Sequence, residues 1–360
     1  MSQAWDVVVV GAGPAGAVAA LEAQRAGLRV LVLEKDEAGR GKTCAGGISP
    51  AARGHLKRLG LWERVEAEAY LIRGMRLVSP SGREATLVGA ETAVVLRRER
   101  FDGLLAEAAA SAGATFLWNR RCDGLVERGG RVVGVRCGSE EIGARYVIVA
   151  NGAMSRLCPD PRPKSLLHAC LSRFEGVPFE PHVLEMIYDP ELLPHYGWLF
   201  PEGPGRVNIG ICLFEETRRR RSLRDVFLRF LDRHFGKRLA GARQEGRLMG
   251  HPISTCTSVE HHAPEGVFVA GEALRLTNMA TGEGISHAIW SGAIAARAVR
   301  EAETVGALEA TRRYVQALQR TFTPGFLLAN LFTRFGTPVL DALTFTLGLP
   351  GVRRLVQRRA

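Results

Sequence analysis

The chain has 360 residues, of which 46% are hydrophobic and 24% charged, and its formal net charge at pH 7 is +11. This composition predicts a globular protein, and the length allows two connected domains with a full core. Because the arginines are scattered and lack an aromatic-rich module, the charge favours an anionic membrane surface or an anionic substrate and disfavours nucleic acid.

The cysteines also restrict the class of protein. Seven of them are dispersed without a CxxC pair or a zinc-ligand spacing, which suits a reducing compartment. The first apolar run begins almost at Met1 without a signal-peptide pattern, and no charge-free apolar run reaches the roughly eighteen residues of a membrane span. We therefore expect a cytoplasmic protein without a transmembrane helix.

The first forty residues have the pattern of a βαβ unit. An apolar run at residues 7–10 enters the turn Gly11-x-Gly13-x-x-Gly16, a helical stretch follows, and a second apolar run ends at Glu34. Gly11 permits the tight turn, Gly13 the approach of a pyrophosphate, and Gly16 close packing of helix and strand. This unit predicts a dinucleotide site in which Glu34 binds ribose hydroxyl groups.

The next hundred residues alternate between loops and regular elements. The loop at residues 35–49 is rich in glycine and charge, and we expect a helix at 50–61, short strands within 70–96 and an alanine-rich helix at 97–112 that ends at Gly113.

A strand and a hairpin follow, and then a buried strand. Residues 116–118 and 124–136 predict the first two, with two glycines at the hairpin turn. The buried strand at 146–150 leads into Asn151 and Gly152.

The middle of the chain changes character. Between about 160 and 260, strand-like pieces at 184–188, 197–200 and 207–213 alternate with proline-rich turns, and an amphipathic helix is expected at about 223–235. This pattern is typical of a β-sheet substrate domain inserted in a nucleotide-binding domain.

A buried-strand pattern returns at 266–270, and a long helix is expected at about 285–302. We therefore predict an α/β fold (mixed α+β) with a Rossmann-like FAD-binding domain, an inserted antiparallel β-sheet substrate domain and a helical C-terminus. The predicted limits are 1–70, 97–158 and 260–305 for the FAD-binding domain, 71–96 and 159–259 for the substrate domain, and 306–360 for the C-terminal segment.

FAD is favoured among the dinucleotides by the late segment. Gly271-Glu272 follows a strand, and a helix starts near Gly284, so the acid is placed to bind the ribityl or pyrophosphate region. The N-terminus of that helix is expected to direct its dipole at the flavin edge that gains negative charge on reduction. No second glycine-rich fingerprint for a nicotinamide cofactor appears.

Three motifs resemble the geranylgeranyl reductase family of FAD-dependent oxidoreductases. They are Lys42-Thr-Cys-Ala-Gly-Gly-Ile-Ser49, Tyr196-Gly-Trp-Leu-Phe-Pro201, and Gly271-Glu-Ala273 with Asn278-Met-Ala-Thr-Gly-Glu-Gly-Ile285. The resemblance runs from residue 5 to about 300. It implies a p-hydroxybenzoate hydroxylase-like fold, non-covalent FAD, and saturation of C=C bonds in polyprenyl chains of lipids, quinones or pigment precursors.

The resemblance also indicates the cofactor residues. The chain has Glu272 and Asn151 where the family usually has Asp, and Ala45 where it more often has Gly. Arg98, or its neighbour Arg97 or Arg100, matches the basic residue that contacts the flavin phosphates. The predicted cofactor set is Gly11, Gly13, Ala15, Gly16, Glu34, Lys35, Cys44, Ala45, Arg98, Asn151, Gly152, Gly271, Glu272, Gly282, Gly284 and Ile285.

Cys44 is the predicted catalytic residue. Lys42 and Arg40 are near it in sequence and are expected to lower the thiol pKa, so that Cys44 acts near the flavin as a proton donor or a gate. The alternative is a small residue that only lines the flavin pocket.

The aromatic motif predicts a substrate channel. Tyr196, Trp198 and Phe200 alternate along a strand and share one face, which would wall a dry cavity for a long apolar chain, and ordinary sheet core is the alternative. The predicted substrate pocket comprises Gly46, Gly47, Tyr196, Trp198, Phe200 and Pro201.

Two other functions remain open. One is an FAD monooxygenase or halogenase of the same fold, although Tyr196 replaces the first tryptophan of the halogenase motif, and the other is a non-catalytic carrier of flavin or isoprenoid lipid. No metal site is expected, because the histidines lack carboxylate or cysteine partners at ligand spacing.

The last forty residues are apolar and helical. Residues 326–332 and 343–349 are each too short to span a bilayer and precede paired arginines, so they predict either a peripheral membrane contact or a helical cap over the substrate domain. The reductant is expected to be NAD(P)H or a ferredoxin-like donor.

Overall fold

The computed structural model describes residues 5–162, 165–335 and 337–348. Within them the chain forms fifteen β-strands and nine α-helices. The strands are β1 (Trp5–Val10), β2 (Val30–Leu33), β3 (Gly47–Ile48), β4 (Tyr70–Val78), β5 (Glu84–Val95), β6 (Thr115–Leu117), β7 (Gly124–Arg128), β8 (Arg131–Cys137), β9 (Glu140–Val149), β10 (Ser165–Glu175), β11 (Val183–Ile187), β12 (Gly197–Gly203), β13 (Arg206–Phe214), β14 (Arg243–Thr255) and β15 (Val267–Val269). The helices are α1 (Pro14–Arg25), α2 (Pro50–Leu59), α3 (Trp62–Glu66), α4 (Arg98–Ser111), α5 (Glu215–Arg220), α6 (Leu223–Leu239), α7 (Ile285–Val305), α8 (Ala307–Phe335) and α9 (Thr337–Gly348).

The first sheet has seven strands in the order β6-β2-β1-β9-β8-β7, with β15 paired to β9. The strands β6, β2, β1, β9 and β15 run parallel, whereas β7 and β8 add an antiparallel edge. Because carboxyl ends of parallel strands meet at one edge of a sheet, the turns after β1, β9 and β15 lie together. Gly11, Asn151 and Gly271 belong to these three turns.

Small residues let two helices pack closely beside this edge. A Cβ on Gly16 of α1 would lie 1.9 Å from the carbonyl oxygen of Gly11, and one on Gly292 of α7 would lie 2.2 Å from that of Ala15. Only glycine fits these two positions, which bring α1 and α7 together behind the turn after β1.

The second sheet has eight strands in the order β14-β10-β13-β12-β11-β4-β5-β3. Its alternating residues bury two different faces. Leu199 and Ile209 pack against Phe227 and Phe230 of α6, whereas Trp198 belongs to an aromatic cluster on the opposite face. The sheet was predicted to be antiparallel, but β4 and β11 pair in parallel, so it is mixed.

The mixed α/β architecture with an FAD-binding domain and a helical C-terminal region is confirmed. The limits assigned to the domains stay a prediction. β10 and β14, which pair over most of their length, were missed because polar residues interrupt their apolar runs, whereas β13 is apolar and buried over residues 209–213.

The ends of the predicted helices differ from the observed ones by a few residues. The helix expected at 50–61 ends at Leu59, because Gly60 adopts a left-handed conformation with φ +70°. The helical C-terminal region is confirmed, and its first helix, α8, begins at Ala307 and continues through Pro324. Because proline has no N–H, the carbonyl oxygen of Arg320 receives no helical hydrogen bond from residue 324. Both residues lie on the exposed face of the helix, where water can donate that bond instead.

None of the helices in the described ranges combines the length and the apolar character that a membrane span needs. The paired arginines at 353–354 and 358–359 lie outside the described residues.

Candidate active site

The glycine-rich turn after β1 leaves an open surface that suits an anion. Gly11 has φ +105°, and a Cβ there would lie 2.6 Å from the carbonyl oxygen of Ala150. A Cβ on Gly13 would meet only Arg40 Nη2, at 3.7 Å, so the turn is accessible from that side. Helix α1 starts at Pro14 without a side-chain cap, which leaves its first N–H groups available to an anion.

Glu34 is held beside this turn. Its side chain is buried, its Oε2 accepts a hydrogen bond of 2.8 Å from Ala12 N, and its Oε1 lies 3.4 Å from Arg40 Nε. A carboxylate fixed in this way at the end of β2 suits the predicted ribose contact. Lys35 instead forms an exposed pair with Asp36 at 2.8 Å, and its assignment to the cofactor set stays a prediction.

The late segment that begins at Gly271 contacts the loop at residues 35–49. Glu272 Oε2 accepts a 2.8 Å hydrogen bond from Lys42 Nζ, and Glu272 Oε1 accepts one of 3.2 Å from Ser254 N. Burial raises the pKa of Glu272, but Lys42, His251 and the Ser254 N–H together leave it below its usual value. Glu272 is therefore an anion that ties residues 271–274 to the loop of Cys44.

Helix α7 begins in the predicted motif. Its N-cap is Gly284, which makes no side-chain capping bond, and Ile285 is its first residue. Just before it, Glu283 accepts hydrogen bonds from the hydroxyls of Ser49 and Ser286. Ser49 also caps α2, so Glu283 connects the end of the Cys44 loop to the start of α7.

Two glycines shape the loop that carries Cys44. Gly46 has φ +75°, and a Cβ there would lie 2.5 Å from the carbonyl oxygen of Leu96. A Cβ on Gly47 would lie 2.9 Å from the ring of Phe200. The half-buried Cys44 accepts a 3.4 Å hydrogen bond from Gly46 N, so the thiol lies in a loop pressed against the aromatic strand.

A cation near Cys44 comes from α4. The buried Arg98 makes two hydrogen bonds to Asp102, at 2.7 and 2.8 Å, and lies near enough to the Cys44 thiol to interact with it electrostatically. Burial opposes the charge of Arg98, but Asp102 and then Cys44 raise the pKa of its guanidinium above the usual value.

The partners expected for Cys44 were wrong. Sequence neighbourhood assigned Lys42 and Arg40 to the thiol, but these side chains pair with Glu272 and Glu34. Those carboxylates attract them more strongly than a thiol does. The predicted contact of Arg98 with flavin phosphates stays a prediction.

The three aromatic residues share one face, as their alternation predicts. The ring centroids of Tyr196 and Trp198 lie 6.3 Å apart, and those of Trp198 and Phe200 lie 6.4 Å apart. Tyr196 Oη donates a hydrogen bond to the carbonyl oxygen of Thr281, and a Cβ on Gly282 would lie 3.4 Å from Oη. Burial raises the pKa of Tyr196 well above its usual value, so the phenol remains a donor.

These rings belong to an apolar cluster that extends to the C-terminal helices. We call Tyr196, Trp198 and Phe200 the aromatic wall. Around it pack Ala45 of the cysteine loop, Phe332 of α8 and Leu340 of α9. Pro201 continues the same strand and is buried.

Comparison with known proteins shows the family. Residues 4–160 match the FAD binding domain family. Digeranylgeranylglycerophospholipid reductase 2 of Methanopyrus kandleri is 33% identical over 98% of this chain and 93% of its own. The chain belongs to the geranylgeranyl reductase family.

Solved structures agree with the family assignment. A geranylgeranyl bacteriochlorophyll reductase-like protein from Thermoplasma acidophilum superimposes with a TM-score of 0.87, at 26% identity, over 98% of this chain and 96% of the other. The flavin-dependent brominase Bmp2 has a TM-score of 0.80 at 19% identity, over 98% of this chain and 93% of the other, a likeness that shows the fold alone.

This geranylgeranyl reductase family member is an FAD-dependent oxidoreductase. Its residues fit the cofactor. Asn151 and Ser155, in the turn after β9, each have a buried side-chain oxygen that finds no partner among the described residues. Together with the uncapped start of α1, these atoms offer hydrogen bonds that a bound dinucleotide would complete. Gly152 has φ +85° and permits the turn that carries them.

Sequence reasoning missed the contacts that connect these parts. Lys42, Glu283 and Ser49 join the cysteine loop to the late segment, and Asn208 joins it to the aromatic wall. Lys42, Ser49 and Glu283 lie within the motifs quoted above, whereas the only signal for Asn208 is that it is a polar residue within the apolar run of β13. In the described part of the chain, His, Cys, Asp and Glu side chains form no cluster that could hold a metal ion.

Proposed function

We propose that this chain is an FAD-dependent reductase that saturates the C=C bonds of geranylgeranyl chains on a glycerophospholipid. The observation that carries the proposal is the apolar cluster, which runs from the cysteine loop across the aromatic wall to α8 and α9. An isolated alkene has no polar group to bind, so its recognition requires an apolar surface of this kind. The digeranylgeranylglycerophospholipid reductase of M. kandleri, similar over almost the whole chain, supports this substrate class.

Saturation adds one hydride and one proton across the double bond. Reduced FAD, when bound, supplies the hydride from its N5 atom. The aromatic wall binds the chain and excludes water, and the Cys44 thiol delivers the proton to the alkene carbon. Tyr196, fixed by the carbonyl of Thr281, keeps the wall against the segment that precedes α7.

The test is a single turnover without oxygen. FAD-loaded protein is reduced with dithionite under argon and mixed with a digeranylgeranyl glycerophospholipid, and flavin absorbance and lipid mass are followed together. We expect the flavin to reoxidise and the lipid to gain about two mass units per bond. The matched control is the same lipid with saturated chains, which should leave the flavin reduced.

Other results would contradict the proposal. Reoxidation only after oxygen is admitted, with a hydroxylated or halogenated product, would indicate a monooxygenase or halogenase. Reaction with a geranylgeranylated pigment precursor or quinone but not with the lipid would reject the glycerophospholipid. A flavin that stays reduced with every isoprenoid would indicate a carrier.

The electron donor is proposed to be NAD(P)H acting transiently or a ferredoxin-like protein, since the sequence has one glycine-rich fingerprint and FAD uses it. Anaerobic mixing of the oxidised protein with NADH, NADPH or reduced ferredoxin distinguishes them. The donor is the one that bleaches the flavin within the turnover time.

We further propose that α8 rests on an anionic bilayer. Its outer face exposes Leu327, Leu328 and Leu331 at 50%, 69% and 55%, with Arg320 and Arg334 exposed at either end of this row. Phe332, one turn after Leu328, lies half-buried at the edge of this face and belongs to the apolar cluster. Apolar residues flanked by cations suit the boundary of lipid headgroups and acyl chains, and a chain leaving the bilayer here would be next to the cluster.

Sedimentation with vesicles tests this contact. We expect the protein to bind vesicles of phosphatidylglycerol and phosphatidylcholine more tightly than phosphatidylcholine alone, and Leu328→Asp to weaken the binding. Leu308→Asp is the matched control, because Leu308 is 68% exposed on α8 but lies near its start. Equal loss in both variants, or none in Leu328→Asp, would reject the contact.

A further inference from the structure

Asn208 is a fully buried polar residue in the centre of the second sheet. It lies on β13, where residues 207–213 are all buried, and its own exposure is 0%. An apolar side chain would satisfy the packing of this strand, so the amide requires another explanation.

The amide joins two parts of the candidate active site. Asn208 Nδ2 donates a 3.0 Å hydrogen bond to the carbonyl oxygen of Ala45, the residue after Cys44. Its Oδ1 accepts a 2.8 Å bond from Trp198 Nε1, in the aromatic wall. Because an indole nitrogen can only donate, the orientation of the amide is determined.

A carboxylate fixes the amide from a third side. Asn208 Nδ2 also donates to Glu202 Oε1 at 3.0 Å. Glu202 is in turn paired with Arg97 at 2.9 Å and Arg173 at 3.2 Å. Arg97 makes two further hydrogen bonds of 2.8 Å to Glu245. Asn208 is thus anchored by a charged network that does not depend on the cysteine loop.

We propose that Asn208 is a positioning residue, which holds the Ala45 peptide and so keeps the Cys44 thiol at a fixed place beside the aromatic wall. The effect on lipid reduction rests on the proposed function, whereas the effect on the loop does not. Without the Asn208 donor, the Ala45 carbonyl loses its buried partner, and the loop samples positions in which the thiol faces solvent.

Two variants separate positioning from stability. Asn208→Asp keeps the shape and the acceptor for Trp198, but it removes the donor to Ala45 and places a second carboxylate beside Glu202. The double variant Asn208→Asp/Glu202→Gln moves the charge from position 202 to 208, so the network regains its balance with the two Arg residues. The donor to Ala45 is missing in both variants.

The experiment measures loop position and chemistry separately. FAD-loaded proteins are treated with iodoacetamide, and alkylation of Cys44 is timed by peptide mass spectrometry, with the Cys122 peptide as the internal control. We expect Cys44 to be alkylated about fivefold faster in both variants, which corresponds to the loss of one hydrogen bond. The rate of labelling of Cys122 should be unchanged. Thermal unfolding should show a loss in Asn208→Asp that the double variant largely restores.

The same proteins are then tested in the anaerobic turnover. We expect flavin reoxidation by the lipid to be slower by about fivefold in both variants with the lipid concentration dependence unchanged, as expected for a misplaced proton donor. Recovery of slow Cys44 alkylation in the double variant, or no change in Asn208→Asp, would overturn the inference. If wild-type protein does not reduce the lipid, the proposed function fails, and the alkylation rates still decide the role of Asn208.

Discussion

Lys42 Nζ lies 2.8 Å from Glu272 Oε2, and this pair joins two segments that are 230 residues apart in sequence. One segment carries the cysteine loop and the other leads to α7. The pair therefore holds together the early and the late segment of the chain that form the candidate site.

Glu272→Gln should destabilise the protein at pH 7 by about 1 to 3 kcal/mol, because Lys42 is left partly buried without its anion. The pKa of Glu272 is lowered in the folded state, so its contribution is present above the usual value of 4.5 and is lost as the pH falls through the folded pKa. Urea unfolding at several pH values checks this, and the difference from wild type should narrow below pH 4.5. Glu22→Gln, in an exposed pair with Arg25, should change little at any pH.

Gly16→Ala should abolish FAD binding. The added methyl would lie 1.9 Å from the carbonyl oxygen of Gly11, so the turn that faces the cofactor must move. Gly54→Ala on α2 is the matched control, since a Cβ there meets nothing within 4 Å, and it should stabilise the protein by about 0.5 to 1 kcal/mol. Flavin absorbance after gel filtration measures the outcome, and a yellow Gly16→Ala protein would contradict the prediction.

Cys44→Ser should slow flavin reoxidation by the lipid, by about a hundredfold if the thiol donates the proton. FAD content should be unchanged, and Cys122→Ser, at a partly buried cysteine next to β7, should be as fast as wild type. Rapid mixing under argon gives the rates. If Cys44→Ser turned over at the wild-type rate, the thiol would not be the proton donor, and Cys44 would only line the pocket.

Acid should weaken the fold through His195. Burial lowers the pKa of His195 to about 4 from 6.5, so its neutral form is favoured by folding, and stability is lost as the pH falls from 6.5 towards 4. The loss is at most about 1.4 kcal/mol per pH unit for one histidine. Burial also lowers the pKa of His55 and His261 to about 4, so they contribute to the same slope.

His195→Phe should flatten this dependence, because it removes one of these groups and its unpartnered buried Nε2. The control is His262→Gln, at an exposed histidine, and its stability should depend on pH as that of the wild type does. Urea midpoints between pH 7.5 and about pH 5 provide the comparison. If the urea midpoint fell equally steeply with pH in wild type and in His195→Phe, the buried ring would not be the cause of the loss of stability in acid.

The parts of the site that were predicted from sequence are those with a local pattern. The turn from Gly11 to Gly16, the aromatic alternation from Tyr196 to Phe200, and the start of α7 at Ile285 each arise from neighbours in the chain. Spacing of residues and the geometry of strands and helices are sufficient for such features.

The parts that were missed depend on pairs distant in sequence. Asn208 and Ala45 are 163 residues apart, and no periodicity connects them. Cys44 shows the same limit: charge near it in sequence pointed to Lys42 and Arg40, but the fold brings Arg98 to the thiol. Sequence proximity does not tell which of several carboxylates a long basic side chain will reach.

The pairing of β15 with β9 has a consequence for the synthesis of the protein. When the ribosome has made the first 160 residues, the glycine-rich turn exists, but Gly271, Glu272 and α7 have yet to emerge. The nascent chain therefore presents half of the predicted cofactor site, and we expect FAD to be retained only near the end of translation. When flavin is scarce, the chain that lacks FAD would then be a nearly complete one, in which α1 and α7 are already in contact.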